Sequence, residues 1–282
     1  MTKSAQAVAT IRFAATWLRG GRRNVLIALG TVVVLSYAAT QAWWHYGASH
    51  VHWEKYTVGI DQIHVNAPPP WVRADVKGDV ARIGSLQQLS LLDHGATQSV
   101  AQAFGLHPWV AQVQRVSKRY PAAIDVQVAY RKPVAVVEVQ HAGLPGLLPI
   151  DRSGILLPPE DFSVAQVKTL PRIASTGTFP AGSVGTAWGD ERITAAALLA
   201  EMLCDDWATT GLFQIASVPS VAGGDAGQSS FELVTREGRR FLWGRAPGRE
   251  ASGEKTSAEK RSRLLKGLSQ PAPGGDPVDL RT

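Results

Sequence analysis

Cysteine is almost absent from this sequence. Cys204 is the single cysteine among 282 residues, so no disulfide can form within the chain and each folded part must rest on a packed apolar core. Cys204 follows the apolar run from Ala195 to Leu203, which favours a buried thiol with a structural role. A nucleophilic cysteine would need a base, and no histidine lies near it in sequence. The alternative is a catalytic Cys204 whose base is distant in sequence and is brought close by the fold.

Acidic residues are absent from the first 53 positions. Five of the 29 basic residues lie there, so the remaining chain carries 24 basic residues against 23 acidic ones. The net charge of +6 therefore comes from one end of the chain and does not describe a basic surface. This distribution argues against nucleic acid as a partner and indicates a topology signal instead.

Charged side chains are also missing from Asn24 to Tyr46, and this run predicts a transmembrane helix. About 20 apolar residues cross the hydrocarbon layer as a helix, which satisfies all backbone groups internally. Five basic residues precede the run and only Lys55 follows closely, so we expect a cytoplasmic N-terminus. Aromatic side chains form a predicted interfacial belt at the exit side: Trp43, Trp44, Tyr46 and Trp53.

Two alternatives concern this end of the chain. Thr40-Gln41-Ala42 has some likeness to a signal-peptide cleavage site, although the length of the leader and the tryptophan belt favour a retained anchor. Residues 1–23 form the expected cytoplasmic tail. This tail is either an interfacial helix or a loosely ordered segment. The interfacial helix is compatible with four apolar residues that share one helical face: Val8, Ile11, Ala15 and Leu18.

Residues 56–140 read as a small α+β module with helices on one face of a sheet. The pattern predicts a strand, two helices and three strands, at Tyr56 to Val65, Trp71 to Ile83, His94 to Phe104, 110–116, 124–128 and 134–139. Asp93 is the expected N-cap of the second helix. Tyr120-Pro121 and Lys132-Pro133 mark turns between the strands.

Residues 141–282 read as a second module built mainly of strands. Leu147 to Leu157 predicts a hairpin, in which Asp151 begins the turn and Gly154 takes the position with positive φ. The rest of the pattern predicts a helix, three strands and a charged helix, at Asp190 to Trp207, Leu212 to Val218, Phe231 to Val234, Arg239 to Trp243 and Ser257 to Leu268.

Sequence patterns that carry catalysis are weak throughout the chain. Asp151 lies in Asp-Arg-Ser-Gly, which lacks the aspartic-protease pattern, and turn capping explains it. Residues 181–185 have some likeness to a nucleophile elbow, but no strand precedes them. Seven histidines show no metal-ligand spacing: His45, His50, His52, His64, His94, His107 and His141. We therefore expect no catalytic, metal or cofactor site.

The first module resembles the POTRA module of FtsQ/DivIB-type cell-division proteins. The likeness rests on the following residues, in the family's order and spacing: His107-Pro108-Trp109-Val110, Val113, Val116, Tyr120-Pro121, Ile124, Val126, Val128 and Arg131-Lys132-Pro133-Val134-Ala135. POTRA modules also occur in outer-membrane insertion proteins, so this stretch alone indicates a class of module.

The second module resembles the β domain of the same family. The matching segments are Ile150-Asp151 with Gly154-Ile155, Phe231-Glu232-Leu233 with Gly238 and Trp243-Gly244, Lys260 to Leu268, and Val278-Asp279-Leu280-Arg281. Three positions depart from the family pattern. Asn66 replaces a glycine, Tyr130 replaces a glutamate, and Thr282 stands where the family has a tyrosine that begins its partner-binding strand edge. We expect that contact to be shortened or made differently.

The resemblance implies an α+β fold in which a transmembrane helix (24–46) precedes a POTRA domain (56–140) and a mixed or antiparallel β domain with flanking helices (141–282). It implies a non-enzymatic divisome scaffold in the inner membrane, with its bulk outside the cytoplasm at the septum. The implied partners are similar to FtsL and FtsB, with no nucleic acid and no small-molecule substrate. The candidate partner-binding residues are Val278, Asp279, Leu280, Arg281, Thr282, Leu264, Leu265 and Leu268.

Two other classes of function stay open. A POTRA-bearing component of envelope assembly or secretion would carry several POTRA copies or a barrel, whereas this chain has one such copy and no series of alternating barrel strands. A membrane-tethered hydrolase would need a nucleophile and a base within reach of each other.

Overall fold

The computed structural model describes residues 24–47, 56–84, 86, 89–141, 143–218, 229–270 and 277–282. The predicted tail at 1–23, the belt residue Trp53, and His50 and His52 lie outside the described residues. The chain divides into two compact units, Met1–Tyr56 and Thr57–Thr282. Its fold is α+β, with an N-terminal apolar helix and sheets of mixed and antiparallel strands.

The first unit contains helix α1, Asn24–Tyr46, the one helix among the described residues that is long and apolar enough to cross a membrane. Its last turn, Trp43–Gly47, widens into a π-helix. The structure therefore confirms the apolar helix at the predicted position. Length and apolar composition are what it shares with a membrane anchor.

The second unit begins with a small sheet. Its three strands are β2 (Ile63–Val65), β4 (Val110–Arg119) and β5 (Ala123–Tyr130), in the order β2-β5-β4. β2 runs parallel to β5, and β4 runs antiparallel to it. Two further short strands, β1 (Thr57–Val58) and β3 (Leu89–Ser90), pair with each other in an antiparallel sheet of their own.

Two helices separate β2 from β4, namely α2 (Val76–Ile83) and α3 (Ala96–Gly105). Both pack on one face of the small sheet. Alternate residues of β5 form the core with them: Ile124, Val126, Val128, Val76, Val80, Val100 and Phe104 are all buried. The expected arrangement, with helices on one face only, is confirmed for these elements.

Three predictions in this region are wrong in detail. The strand expected over 56–65 is interrupted by a 3-10 turn, Ile60–Gln62, because the Gln62 side chain accepts a hydrogen bond from Gly59 N–H at 2.8 Å. The first helix begins at Val76 rather than near Trp71, with Asp75 as its N-cap. Asp93 does not cap α3; its Oδ1 accepts from Gly95 N–H at 2.9 Å, in the turn before the helix.

Strand β4 does not alternate strictly. Its pairing with β5 shifts register between Val110 and Gln112 and again between Val113 and Arg115. Each shift is a β-bulge that adds one residue to the strand. Val110, Val113 and Val116, three residues apart, therefore pack against the same core, which a period of two does not predict.

The second sheet has seven strands in the order β12-β11-β10-β9-β8-β6-β7 and is called the large sheet below. The strands are β6 (Pro133–His141), β7 (Leu144–Asp151), β8 (Arg172–Ile173), β9 (Leu212–Val218), β10 (Ser230–Thr235), β11 (Arg240–Gly244) and β12 (Val278–Asp279). Sequence grouping put 134–139 with the first module. The structure instead pairs β6 with β7 and β8, which makes it a strand of the large sheet.

Helices α5 (Glu191–Trp207) and α6 (Ser257–Leu268) contribute to the core of the large sheet, and a short helix α4 (Val164–Thr169) precedes them. Asp190 caps α5 by accepting from Arg192 N–H at 2.9 Å. Buried apolar side chains of α5 include Ile193, Leu199 and Leu203. The predicted positions of α5 and α6 are confirmed.

The predicted turn after β7 is also confirmed. Asp151 Oδ1 accepts from Ser153 N–H at 2.8 Å and from Ile155 N–H at 3.0 Å, and Gly154 has φ of +70°. The second arm of the predicted hairpin is not a full strand. It forms only single β-bridges, from Leu156 to Ile150 and from Ile155 to Ala187. Asp151 Oδ2 also accepts from Arg131 Nη1 at 2.7 Å, so this carboxylate has a structural role at the junction of the two sheets.

Aromatic packing joins the two sheets of the second unit. Trp109 Nε1 donates to Asp161 Oδ2 at 2.6 Å, and the rings of Trp109 and Phe162 lie 5.7 Å apart. Leu157, which follows the turn of the large sheet, is buried in the core of the small sheet. These contacts tie the residues after β7 to the first module.

Candidate partner-binding edge

The large sheet has two outer strands, and β7 is poorly suited to accept another strand. Val136 N–H donates away from β7, to Pro171 O at 2.8 Å, and Pro149 O accepts from Leu157 N–H at 2.9 Å on the outer side. The backbone groups of Pro149, and of Pro145 four residues earlier, therefore face outward. Proline has no N–H to donate, so this edge lacks two of its outward donors.

Strand β12 forms the other edge of the large sheet. It runs parallel to β11, with Val278 opposite Phe241 and Asp279 opposite Leu242. Leu280 N–H donates to Leu242 O at 3.0 Å. Successive residues of a strand direct their backbone groups to opposite sides, so the N–H and C=O of Asp279 point away from β11. Among the described residues no strand pairs with that side.

The candidate residues from the sequence meet at this edge, but they do not share one role. Leu264 and Leu280 are 0% and 1% exposed and belong to the core of the large sheet. Leu268 and Val278 pack partly buried against the same core. Leu265 is 40% exposed, and Thr282 is exposed. Side-chain contact with a partner is therefore available to Leu265 and Thr282, whereas Leu264 and Leu280 hold α6 and β12 in place.

Asp279 and Arg281 form an ion pair on the last residues of the chain. Arg281 donates from Nε to Asp279 Oδ1 at 3.0 Å and from Nη2 to Oδ2 at 2.8 Å. This hydrogen-bonded guanidinium holds the pKa of Asp279 below its ordinary value, with a further contribution from the charge of Arg263. The carboxylate is thus kept ionised, and the pair orients both side chains beside the free edge.

A buried ion pair supports the edge from within. Lys260 Nζ lies 2.6 Å from Glu254 Oε1, and the two side chains are 0% and 5% exposed. The Glu254 carboxylate also accepts from Arg245 N–H at 2.9 Å and from Ala251 N–H at 2.7 Å. The ammonium group lies 5.4 Å from the centre of the Trp243 ring. Sequence reasoning missed this pair, because a lysine in a charged helix is normally solvated.

Gly244 provides the space that the last residues occupy. Its φ is +85°, and a Cβ at this position would clash first with Glu254 Oε1 and would lie 2.8 Å from Arg281 Cγ. Lys255 N–H donates to Arg281 O at 2.9 Å on the same stretch of chain. The loop between β11 and α6 therefore binds Arg281, two residues after β12, directly. A side chain at 244 would displace the Glu254 carboxylate and the Arg281 side chain.

Three observations concern the residues considered for catalysis and metal binding. Cys204 is half-buried and not fully buried as expected. Its partial burial raises the pKa of the thiol, which disfavours the thiolate that a nucleophile requires. Residues 181–185 form turns and bends, with neither a helix nor a strand. Within the described residues no three His, Cys, Asp or Glu side chains lie close enough together to hold a metal ion.

The chain matches no protein-family model, and no curated protein matches it.

Proposed function

We propose that the protein is a non-enzymatic, single-pass membrane scaffold of cell division, similar in role to FtsQ/DivIB-type proteins. It is anchored in the inner membrane with its N-terminus in the cytoplasm, and its bulk lies on the opposite side at the division septum. There it recruits and regulates partners that build the septal cell wall.

The observation that carries this proposal is the order of elements in the second unit. β2, α2, α3, β4 and β5 give a strand, two helices and two strands around one small sheet. This agrees with the order expected for the POTRA-like module, except that its last expected strand, 134–139, belongs to β6 of the large sheet. The large sheet follows at once, with its last strand at the edge. Both modules lie downstream of an apolar helix of spanning length, as in a single-pass scaffold.

The edge strand β12 is the proposed partner site. Strand addition uses main-chain donors and acceptors, so it requires an unpaired edge with free N–H groups. β12 offers one free outward N–H, that of Asp279, because Pro277 has none and the Arg281 N–H donates to Asp279 Oδ1 at 2.8 Å. β7 loses two outward donors to prolines, and its outer side is already bonded to Leu157. Partners similar to FtsL and FtsB would add an extended segment next to Asp279. The short β12, of two residues, makes the loop that binds Arg281 important for keeping this edge in place.

The localisation of a fluorescent fusion in dividing cells tests the function. The fluorophore is attached to the cytoplasmic N-terminus and the fusion is made at native expression. A sharp band at the division plane before constriction is complete supports the proposal. An even signal around the envelope contradicts it and favours the envelope-assembly alternative.

A further inference from the structure

Helix α1 contains polar side chains of two kinds. The hydroxyls of Thr31 and Thr40 are satisfied within the helix: Thr31 donates to Ile27 O at 2.8 Å, and Thr40 donates to Ser36 O and Tyr37 O at 2.8 Å each. Hydroxyls bonded in this way can face lipid without a partner outside the helix.

Gln41 and Tyr37 are different. Gln41 Nε2 donates to Tyr37 Oη at 2.9 Å. The amide thus reaches one turn back towards the middle of the helix, as helical side chains do, and away from the interfacial end with Trp43 and Trp44. Among the described residues, Gln41 Oε1 and the second amide N–H have no hydrogen-bond partner. Unsatisfied polar groups are costly in hydrocarbon.

Gly30 lies on the same side of α1 as this polar pair. An α-helix turns about 100° per residue, so Gly30, Tyr37 and Gln41 fall within about 40° of one another. Val34 lies next to them on the same face. α1 is exposed along its whole length, and a Cβ at Gly30 would meet nothing within 4 Å, so a neighbouring helix can approach along this side. We call Gly30, Val34, Tyr37 and Gln41 the α1 seam.

We propose that α1 pairs in parallel with α1 of a second copy of this chain along the α1 seam. The inference rests on the membrane anchoring of the proposed function. Two copies inserted with the same topology have parallel helices, and twofold symmetry brings each residue opposite its own counterpart at the same depth. Only a group that both donates and accepts can satisfy its own counterpart. The glutamine amide and the tyrosine hydroxyl do both.

Gly30 lets the two backbones approach closely, which is how small residues promote helix pairing in membranes. The polar groups then meet across the helix pair and are no longer exposed to lipid. A partner helix with only apolar residues at these depths would leave the amide of Gln41 unsatisfied. The self-complementary chemistry of the α1 seam therefore favours a second copy.

The test is Förster transfer between full-length chains that carry a donor or an acceptor fluorophore at the N-terminus. Both are reconstituted into phosphatidylcholine and phosphatidylglycerol vesicles at increasing lipid dilution. We expect transfer above that of random proximity. One interhelical hydrogen bond corresponds to roughly three- to tenfold in the dimer dissociation constant, so Gln41→Leu should weaken pairing by about that factor. Gly30→Ile should weaken it through steric separation of the helices.

Thr40→Val is the matched control, because it removes a hydroxyl that is already satisfied within α1, and it should leave transfer unchanged. Transfer no greater than random, or equal transfer in the native chain, Gln41→Leu and Gly30→Ile, would overturn the proposal. Transfer that requires a second membrane protein would assign the α1 seam to that protein and also overturn it. Alkaline carbonate extraction distinguishes a failure of the pairing from a failure of the membrane anchor. A chain that stays in the membrane but shows no Förster transfer contradicts the pairing alone. A chain that is extracted contradicts the anchor as well.

Discussion

Lys260 and Glu254 form a fully enclosed ion pair, 2.6 Å apart, where α6 meets the end of the large sheet. The pair joins the helix to the loop that follows β11. The same loop binds the last residues through the hydrogen bond from Lys255 N–H to Arg281 O, 2.9 Å long. The position of the open edge therefore depends on a charge interaction in the interior, several residues away from the edge itself.

Replacing Lys260 by Met should destabilise the protein strongly. The substitution leaves the Glu254 carboxylate buried without its counter-charge, and breaking one side of a buried pair costs about 3–5 kcal/mol. Urea unfolding of the full chain in detergent, followed by circular dichroism, measures this loss. The control is Lys266→Met on the exposed side of α6, which should change the free energy of unfolding by less than about 0.5 kcal/mol. Equal values for the two variants would contradict the structural role of Lys260.

Stability should fall in mildly acidic solution because of His107. Burial lowers the pKa of His107 below its ordinary value of 6.5, although Asp79 and Asp161 act in the opposite direction. Its Nδ1 accepts from Trp109 N–H at 3.2 Å, which a protonated ring cannot do. Below pH 6.5 the unfolded chain binds a proton that the folded chain resists, so stability decreases as the pH falls from there towards the lowered pKa.

This pH dependence is checked by urea unfolding at a series of values between about pH 7.5 and about pH 5, which brackets the ordinary histidine pKa. His107→Gln should flatten the slope in this range. His94→Gln, at an exposed histidine, is the matched control and should leave the slope as it is in the native chain. A slope that persists in the His107 variant would assign it to other groups.

The main chain of β12, more than its side chains, should carry partner binding. Asp279→Pro removes the outward N–H, and one lost hydrogen bond of about 1 kcal/mol lowers affinity roughly fivefold. Asp279→Ala keeps the N–H and serves as the control for the lost ion pair with Arg281. Deleting 278–282 should abolish recovery of the small coiled-coil membrane partners. Co-purification from membranes compares the three variants. Unchanged recovery after the deletion would move the site elsewhere, for example to the exposed Leu265 side of α6.

Asn66 should stabilise the small sheet through its side chain. Its Oδ1 accepts from Val128 N–H at 2.8 Å, and its Nδ2 donates to Val128 O at 3.1 Å. The amide thus continues the pairing of β2 with β5 by one step. Asn66→Ala should lower the free energy of unfolding by about 1 kcal/mol. Asn66→Asp keeps the acceptor but turns a carboxylate oxygen towards Val128 O, so it should cost at least as much. A neutral alanine variant in chemical denaturation would contradict this role.

Local patterns with one strong physical cause were predicted well. α1 follows from a long run without charges, and α5 and α6 follow from helical periodicity. The turn at 151–154 follows from an aspartate that accepts backbone hydrogen bonds and a glycine that adopts positive φ. Each of these elements depends on residues close together in sequence.

Errors arose where distant contacts decide the structure. Two bulges in β4 changed the spacing of its buried valines, and the side chain of Gln62 interrupted the strand expected over 56–65. β6 joined the large sheet because β7 and β8 supply its hydrogen bonds, although its sequence suits either sheet. Local propensity is the same in both cases, so only the available strand partners distinguish them.

The sequence by itself determined the apolar helix, the α+β class and the turn at 151–154, because hydrophobic periodicity and turn chemistry are local properties. Only the tertiary structure decided that Leu264 and Leu280 are core residues, that prolines occupy two outward positions of β7, and that Lys260 is buried against Glu254. These features depend on which side of a strand or helix meets a distant segment. Burial and pairing between distant residues are set by the packed fold as a whole.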